Sequence, residues 1–343
     1  MTKSAVIICP GRGTYNATEL GYLARHHSNQ TSVLASFDAY RDTQQQDTIS
    51  MLDGADRFSI AKHTRGDAAS PLIYASSLFD AQAIRDEFDV VAVTGNSMGW
   101  YTALAVSGAV SPIGGFEIVN TMGTLMQERL IGGQTIYPFV DENWVEIPGE
   151  RDKLLALIHA IDARSDQILD VSIHLGGMLV VSGNEAGITA FENSVTRLQG
   201  RYPMRLPNHA AFHTKLQEPI AQEGRKRLGA DLFQSAQTAL VDGRGAVWHP
   251  KTYSSQELKS YTLGTQVVEA YDFTKAVQVA AKTFAPDVFI IAGPGTTLGG
   301  AVAQSLIDIG WSGMHDKAEF QSQQSKTPIL ISMGREDQRR LVV

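Results

Sequence analysis

Cysteine and long apolar runs are scarce in this sequence of 343 residues. The single cysteine, Cys9, excludes an internal disulfide and favours a reducing compartment. It lies in the apolar run 5–9, which predicts a buried strand and an inert thiol. The chain shows no signal-peptide pattern after Lys3 and no apolar run of membrane-spanning length. These absences predict a cytoplasmic protein that does not enter a membrane.

Basic residues are also in the minority. The 29 lysines and arginines against 36 acidic residues give a net charge of −7, which argues against a general nucleic-acid binder. Charged residues make up 19% of the chain and hydrophobic residues 43%, so a sizeable core is expected and disorder is not. The length suits one large domain, with or without a smaller inserted one.

The most informative stretch is a buried strand that runs directly into a helix. The β-branched run 90–93 predicts the strand, a Gly-x-Ser-x-Gly pattern follows over 95–99, and small residues over 101–106 predict the helix. This context is that of a nucleophile elbow, in which a strained turn presents Ser97 at a helix N-terminus. The alternative is an ordinary strand–helix joint that holds a serine between two glycines.

A glycine-rich turn, Pro10–Thr14, ends the first strand. It lacks the lysine of a phosphate-binding P-loop and the third glycine of a dinucleotide fingerprint. A turn of this kind can instead present backbone N–H groups to a neighbouring active site.

The middle of the chain has a different pattern from its ends. Residues 133–206 show the order β-α-β-β-α-β, which is typical of a ferredoxin-like unit. We therefore predict an α/β fold: a hydrolase-like parallel-sheet domain (1–132 and 207–343) with an inserted ferredoxin-like α+β subdomain (133–206). In the outer part, 37–65 shows little periodicity, 265–284 predicts one long helix, and 312–327 predicts a polar, flexible connection.

Several spaced motifs resemble the malonyl-CoA:acyl-carrier-protein transacylases and the acyltransferase domains of polyketide synthases. The resemblance covers roughly residues 5–310. The motifs are Pro10-Gly11-Arg12-Gly13, the elbow Gly95–Gly99, Met126-Gln127, Ala211-Phe212-His213-Thr214 with Leu216 and Pro219, and Gly293-Pro294-Gly295.

The resemblance implies a two-step acyl exchange. Ser97 attacks an acyl thioester, and His213 accepts its proton and then protonates the leaving thiol. The N–H groups of Met98 and Arg12 are implied to form the oxyanion hole. In this family a main-chain carbonyl, here near Gln266, orients the histidine in place of a carboxylate.

His209 is the competitor for the role of base, because it lies only four residues before His213. The family register of Leu216 and Pro219 favours His213. A His-x-x-x-His pair can also bind zinc, but Pro207 argues against a helix there and the sequence predicts no metal site.

Three positions depart from the family pattern. Where the malonyl-specific enzymes carry an arginine that pairs with the malonyl carboxylate, this chain has Met122. Asn96 replaces the usual histidine before the serine, and Trp100 replaces a residue that is commonly acidic or polar. We expect Met122, Trp100 and Asn96 to line the acyl pocket.

The family's glutamine in the first turn is Arg12 here, and its side chain can face the pocket, a coenzyme A phosphate or solvent.

The resemblance implies a serine acyltransferase that moves an acyl group between coenzyme A and acyl-carrier-protein thioesters, and Met122 predicts that this acyl group is not carboxylated. No permanently bound cofactor is expected, and the partners are acyl-CoA and an acyl carrier protein, with the chain as a monomer. The alternatives are an acyl-carrier-protein hydrolase with the same Ser/His pair, a malonyl transacylase with a relocated arginine, and a carrier-binding homologue without turnover.

Overall fold

A computed structural model describes residues 2–343. The strands are β1 (Lys3–Cys9), β2 (Phe88–Gly95), β3 (Gly133–Pro138), β4 (Leu169–Leu175), β5 (Met178–Gly183), β6 (Met204–Arg205), β7 (Ala239–Val241), β8 (Val247–Trp248), β9 (Tyr271–Asp272), β10 (Val288–Ile291) and β11 (Leu330–Ser332).

The α-helices are α1 (Tyr22–His26), α2 (Thr31–Thr43), α3 (Ile49–Asp53), α4 (Ile60–His63), α5 (Gly66–Ala83), α6 (Gly99–Val106), α7 (Pro112–Arg129), α8 (Glu150–Asp162), α9 (Glu185–Ser194), α10 (Glu218–Arg227), α11 (Ser255–Ser260), α12 (Gln266–Val268), α13 (Phe273–Phe284), α14 (Leu298–Asp308), α15 (Lys317–Lys326) and α16 (Glu336–Arg339). Short 3₁₀ segments lie at Ala17–Glu19, Lys215–Gln217, Ala230–Leu232 and Trp311–Gly313, and a π-helical turn at Tyr261–Thr265 joins α11 to α12.

The larger sheet has the strand order β11-β10-β1-β2-β7-β8. Its first five strands are parallel, and β8 pairs antiparallel with β7. The central strands β1 and β10 are buried apolar runs, as expected when a parallel sheet is covered on both faces. The predicted parallel-sheet α/β fold is therefore confirmed, and β2, which leads into the Gly95–Gly99 turn, lies inside this sheet.

The second sheet has the order β6-β3-β5-β4-β9. Strands β3 to β6 pair antiparallel, and the chain order β3-α8-β4-β5-α9-β6 is that of a split βαβ unit. Strand β9, from the later part of the chain, adds to this sheet parallel to β4. The domain bounds at 132 and 207 remain an interpretation.

Two local predictions were wrong. Residues 265–284 do not form one helix, because the chain becomes extended at Glu269 and Asp272 caps a new helix, α13. Asp316 likewise caps α15 within the predicted connection 312–327. The region 37–65 contains the end of α2 and the short helices α3 and α4. None of the helices in 2–343 combines the length and apolar character that crossing a bilayer requires.

Candidate active site

Ser97 lies on a sharp turn between β2 and α6. Its φ of 54° is in the left-handed region, which is strained for a serine. A Cβ on Gly95 would lie 2.3 Å from the Gly99 carbonyl, and one on Gly99 would lie 2.1 Å from the Cys9 carbonyl oxygen. The two glycines are therefore required by close backbone contact, and they press the elbow against the end of β1.

His213 lies within hydrogen-bonding distance of Ser97. Its Nε2 is 2.7 Å from Ser97 Oγ, and its Nδ1 donates to the main-chain oxygen of Gln266 at 2.6 Å. The His213 main-chain N–H donates to the Val267 oxygen at 3.0 Å. Both oxygens belong to α12, which ends at Val268, so they have no partner within their own helix. The end of this helix therefore orients the imidazole.

The environment keeps His213 neutral. Burial lowers the pKa of His213 to about 4, and the hydrogen bond to the Gln266 carbonyl acts in the opposite direction. With Nδ1 donating to a carbonyl, Nε2 carries the lone pair toward the Ser97 hydroxyl. Within residues 2–343 no carboxylate bonds to His213, so the carbonyl takes the orienting position that an acid holds in other triads.

The Gln266 side chain contacts the elbow from the other side. Its Nε2 donates to the Ser97 main-chain oxygen at 3.1 Å, and its Oε1 accepts from the Tyr101 hydroxyl at 3.0 Å. One residue thus contacts Ser97 through its side chain and His213 through its main chain. From the sequence, only the main-chain role was expected.

Tyr271 is a second residue that the sequence analysis missed. Its hydroxyl donates to the Gly95 oxygen at 2.5 Å, and its ring centroid lies 5.4 Å from that of His213. It packs behind both the elbow and the imidazole, and no motif in the sequence signalled it.

Two main-chain N–H groups are available for an oxyanion. Among the described residues, neither Met98 N–H nor Arg12 N–H donates to a protein acceptor, and both residues line the same cavity as Ser97. Met98 precedes the first turn of α6, where the helix dipole favours negative charge. A Cβ on Gly11 would lie 2.7 Å from the Asn96 oxygen, so the glycine turn packs directly on the elbow.

The cavity has a volume of about 940 Å³ and reaches from the elbow to the second sheet. It brings together Ser97, His213, Met98, Arg12, Gln266, Asn96 and Met122. On the side of the second sheet its wall is largely apolar, with Ile136, Ile173, Leu175, Met178 and Val180. This size and lining suit an elongated ligand with an apolar part.

Met122 on α7 and Asn96 in the elbow also line the cavity, as predicted. The Met122 sulfur contacts α10 so closely that a Cβ on Gly224 would lie 2.6 Å from it. The side-chain oxygen of Asn96 is buried and has no hydrogen-bond partner within 2–343.

The prediction that Trp100 lines the acyl pocket is wrong. Its side chain is fully buried away from the cavity, and its Nε1 donates to Thr262 Oγ1 at 3.0 Å. Helix α6 is buried along nearly its whole length, so an apolar residue on it can face the core instead of the cavity.

The Arg12 guanidinium is anchored in the cavity wall. Nη2 donates to the main-chain oxygens of Thr64 at 2.8 Å and Asn208 at 2.9 Å, and Nη1 lies 2.9 Å from Met126 Sδ. Burial lowers the pKa of Arg12 to about 10, so it remains charged at neutral pH. A guanidinium binds a carboxylate bidentately through Nη1 and Nη2 or through Nε and Nη2. Both pairs include Nη2, which here already donates two hydrogen bonds.

His209 makes no hydrogen bond to the Ser97 hydroxyl within residues 2–343. Its Nδ1 is 2.9 Å from Gln134 Oε1, and its ring lines the cavity. Both ring nitrogens of His213 are taken by Ser97 and Gln266, so the two histidines do not form a metal pair. Among residues 2–343, no three acidic, histidine or cysteine side chains are placed to hold a metal ion.

The chain has weak sequence similarity to two polyketide synthases. It is 27% identical over 217 residues to the phenolphthiocerol synthesis polyketide synthase of Mycobacterium marinum, covering 62% of this chain and 9% of that protein. It is 24% identical over 213 residues to a non-reducing polyketide synthase of Penicillium brevicompactum, covering 59% of this chain and 8% of that protein. The chain thus spans less than a tenth of either relative. No family model matches it.

Solved structures of malonyl transferases have the same fold over the whole chain. The acyl-carrier-protein S-malonyltransferase of Burkholderia pseudomallei is 18% identical, covers 99% of both chains and has a TM-score of 0.74. The malonyl-CoA:acyl carrier protein transacylase of Xanthomonas oryzae is 17% identical, covers 99% of this chain and 98% of its own, and has a TM-score of 0.75.

A third neighbour is a malonyl-transacylase in complex with a type II polyketide synthase acyl-carrier protein. It is 16% identical, covers 95% of this chain and 100% of its own, and has a TM-score of 0.72. The resemblance found in the sequence motifs is thereby confirmed at the level of the fold: the chain has the fold of the malonyl-CoA:acyl-carrier-protein transacylases.

Proposed function

We propose that the chain is a serine acyltransferase that carries an acyl group from one thioester to another through an acyl-Ser97 intermediate. The observation that supports this most is the distance of 2.7 Å between Ser97 Oγ and His213 Nε2 at the wall of a cavity of about 940 Å³. The fold shared with acyl transferases that act on carrier proteins supports the same reaction class.

In the first step the Ser97 oxygen forms a bond to the thioester carbon, and its proton passes to His213 Nε2. The negative charge that develops on the carbonyl oxygen is held by the N–H groups of Met98 and Arg12. The carbon–sulfur bond then breaks, and His213 returns the proton to the leaving thiolate. In the second step the phosphopantetheine thiol of an acyl carrier protein repeats the sequence in reverse.

The substrate is a coenzyme A thioester with a non-carboxylated acyl group. Met122 supplies no donor for a carboxylate, and burying an unpaired carboxylate costs several kcal/mol, roughly. A relocated arginine is the alternative, and Arg12 is the candidate on the cavity wall. Its Nη2 already donates to the main-chain oxygens of Thr64 and Asn208, so the guanidinium has no free pair of donors for bidentate binding of a malonyl carboxylate.

We further infer a monomer that meets acyl-CoA and an acyl carrier protein in the cytoplasm and holds no resident cofactor. The buried, unpaired Cys9 supports a reducing compartment. The carrier protein is inferred from the neighbour that is a complex with one.

The test is the fate of the acyl-enzyme. The protein is mixed with octanoyl-CoA, and the mass of the intact chain is followed over time, with and without a holo acyl carrier protein. We expect an adduct that is stable in buffer and is discharged when the carrier protein is added. Rapid discharge by water alone would make the chain a hydrolase, and the absence of any adduct would refute covalent catalysis.

A further inference from the structure

His209 is joined to the cavity wall by one of its two ring nitrogens. It lies on the segment that returns from β6 to His213, and its Nδ1 is 2.9 Å from Gln134 Oε1 on β3. The catalytic pair uses neither side chain. The question is which nitrogen of His209 carries the proton.

A chain of hydrogen bonds determines which nitrogen of His209 carries the proton. It starts at the main-chain oxygen of Phe212, which can only accept. Ser172 Oγ donates to the main-chain oxygen of Phe212 at 2.8 Å. Because its proton is used there, Ser172 Oγ accepts from Gln134 Nε2 at 2.7 Å. The Gln134 amide therefore points its oxygen toward His209, and His209 Nδ1 must donate to it.

The second nitrogen, Nε2, then carries a lone pair. It has no hydrogen-bond partner within residues 2–343. It is not one of the unpartnered side-chain atoms that are buried from solvent, so it remains accessible. Since His209 lines the cavity, this lone pair is open to a bound molecule. Burial and the charge of Arg12, whose Nη2 bonds the adjacent Asn208, hold the pKa of His209 well below its usual value. The imidazole is therefore neutral.

We propose that His209 Nε2 accepts a hydrogen bond from an N–H or O–H group of the thioester bound in this cavity. The inference rests on the proposed function, since it assigns a contact to the substrate of the same site. Two parts of a thioester can supply the donor: a hydroxyl on the acyl chain, or the pantetheine arm, which carries amide N–H groups and one hydroxyl. An acceptor at this position is also repulsive to a carboxylate.

The first test is kinetic. Acylation of Ser97 is compared for butyryl-CoA, 3-hydroxybutyryl-CoA and a butyryl thioester of a water-soluble ether thiol that contains no amide and no hydroxyl. The variants are His209→Phe, which removes the acceptor, and His209→Gln, which restores an oxygen acceptor. The control is His159→Phe, on the exposed face of α8.

The proposal is supported if kcat/KM falls by roughly 10-fold or more in His209→Phe and recovers in His209→Gln, and if this loss occurs only for thioesters that carry the donor group. A loss confined to 3-hydroxybutyryl-CoA assigns the contact to the acyl hydroxyl. A loss for both coenzyme A thioesters but not for the amide-free one assigns it to the pantetheine arm. An equal loss for all three, or no loss, overturns the proposal.

The second test needs no turnover and separates this inference from the proposed function. In ¹⁵N-histidine-labelled Ser97→Ala protein, NMR should show His209 as the neutral Nδ1–H tautomer. The Nε2 resonance should shift on addition of the thioester that the kinetic comparison selects, or of 3-hydroxybutyryl-CoA if no acylation occurs. A proton found on Nε2, or an Nε2 resonance that does not move at saturation, contradicts the inference. Absence of acylation in the wild type contradicts only the proposed function.

Discussion

His213 Nδ1 donates to the main-chain oxygen of Gln266 at 2.6 Å, at the end of a helix whose last carbonyls have no other helical partner. In the proposed reaction this contact takes the place of a triad acid, without a buried negative charge. It fixes the tautomer that leaves the Nε2 lone pair facing Ser97, and the negative end of the helix dipole would favour the imidazolium that the proposed proton transfer forms.

The first prediction separates the two roles of Gln266. Gln266→Ala keeps the main-chain oxygen that orients His213 but removes the side-chain contacts to Ser97 and Tyr101. We expect acylation to slow by about 10-fold, as for the loss of one or two ordinary hydrogen bonds. His213→Ala, measured beside it with the same octanoyl-CoA, should slow acylation by roughly 10² to 10⁴-fold. Equal losses in the two variants would show that the side-chain contacts to Ser97 and Tyr101 matter as much as the base itself, which would contradict this division of roles.

The second prediction concerns pH. The pKa of His213 is lowered to about 4 by burial, so the base is neutral at every pH well above that value. The rate of acylation should therefore stay level from about pH 8 down to about pH 5.5 and fall as the pH approaches 4, when Nε2 takes up a proton. Single-turnover rates with octanoyl-CoA check this. A midpoint near 6.5, the ordinary value for histidine, would contradict the buried environment described here.

The third prediction concerns the acyl group. Each methylene buried in the apolar wall gains roughly 0.8 kcal/mol, so octanoyl-CoA should acylate faster than acetyl-CoA, and malonyl-CoA should be the poorest donor. Met122→Arg supplies a guanidinium at the position of the family's arginine and should raise the rate with malonyl-CoA most.

The matched control for Met122→Arg is Met51→Arg, which adds the same charge at an exposed position on α3. A wild type that prefers malonyl-CoA would show that another residue binds the carboxylate, and the proposed substrate class would be wrong.

The fourth prediction concerns the charge of Arg12. Arg12→Gln removes the positive charge that lowers the pKa of His209, so that pKa should rise. A histidine titration by NMR measures the change directly. The exposed Arg65→Gln is the control, because its guanidinium pairs with Asp67 instead. A pKa of His209 that is unchanged or lower in Arg12→Gln would mean that burial alone sets it.

The elements around the nucleophile could be predicted from the sequence because their signals are local. Buried parallel strands are short β-branched runs, and the glycines at 95 and 99 are needed by backbone contacts that any such elbow makes. The bend before α13 could not be predicted, since the apolar pattern on both sides of Glu269 is helical and only the pairing of β9 with β4 interrupts it.

The position of side chains on buried elements was harder to predict. Met122 and Trp100 both lie on helices that are apolar on most faces, so periodicity does not tell which side meets the cavity. The tautomer of His209 depends on Gln134, which is 75 positions away, and the side chain of Gln266 contacts Ser97, which is 169 positions away. Such contacts are determined by the tertiary structure and have no local motif.

The most direct test of the account is the site of the covalent intermediate. Wild type, Ser97→Ala and the exposed Ser194→Ala on α9 are mixed with octanoyl-CoA, quenched in acid and measured as intact chains and as peptides by mass spectrometry. We expect one octanoyl group per chain in wild type and in Ser194→Ala, on the peptide that contains Ser97, and none in Ser97→Ala. Octanoylation of Ser97→Ala at the wild-type rate, on any other residue, would contradict the account.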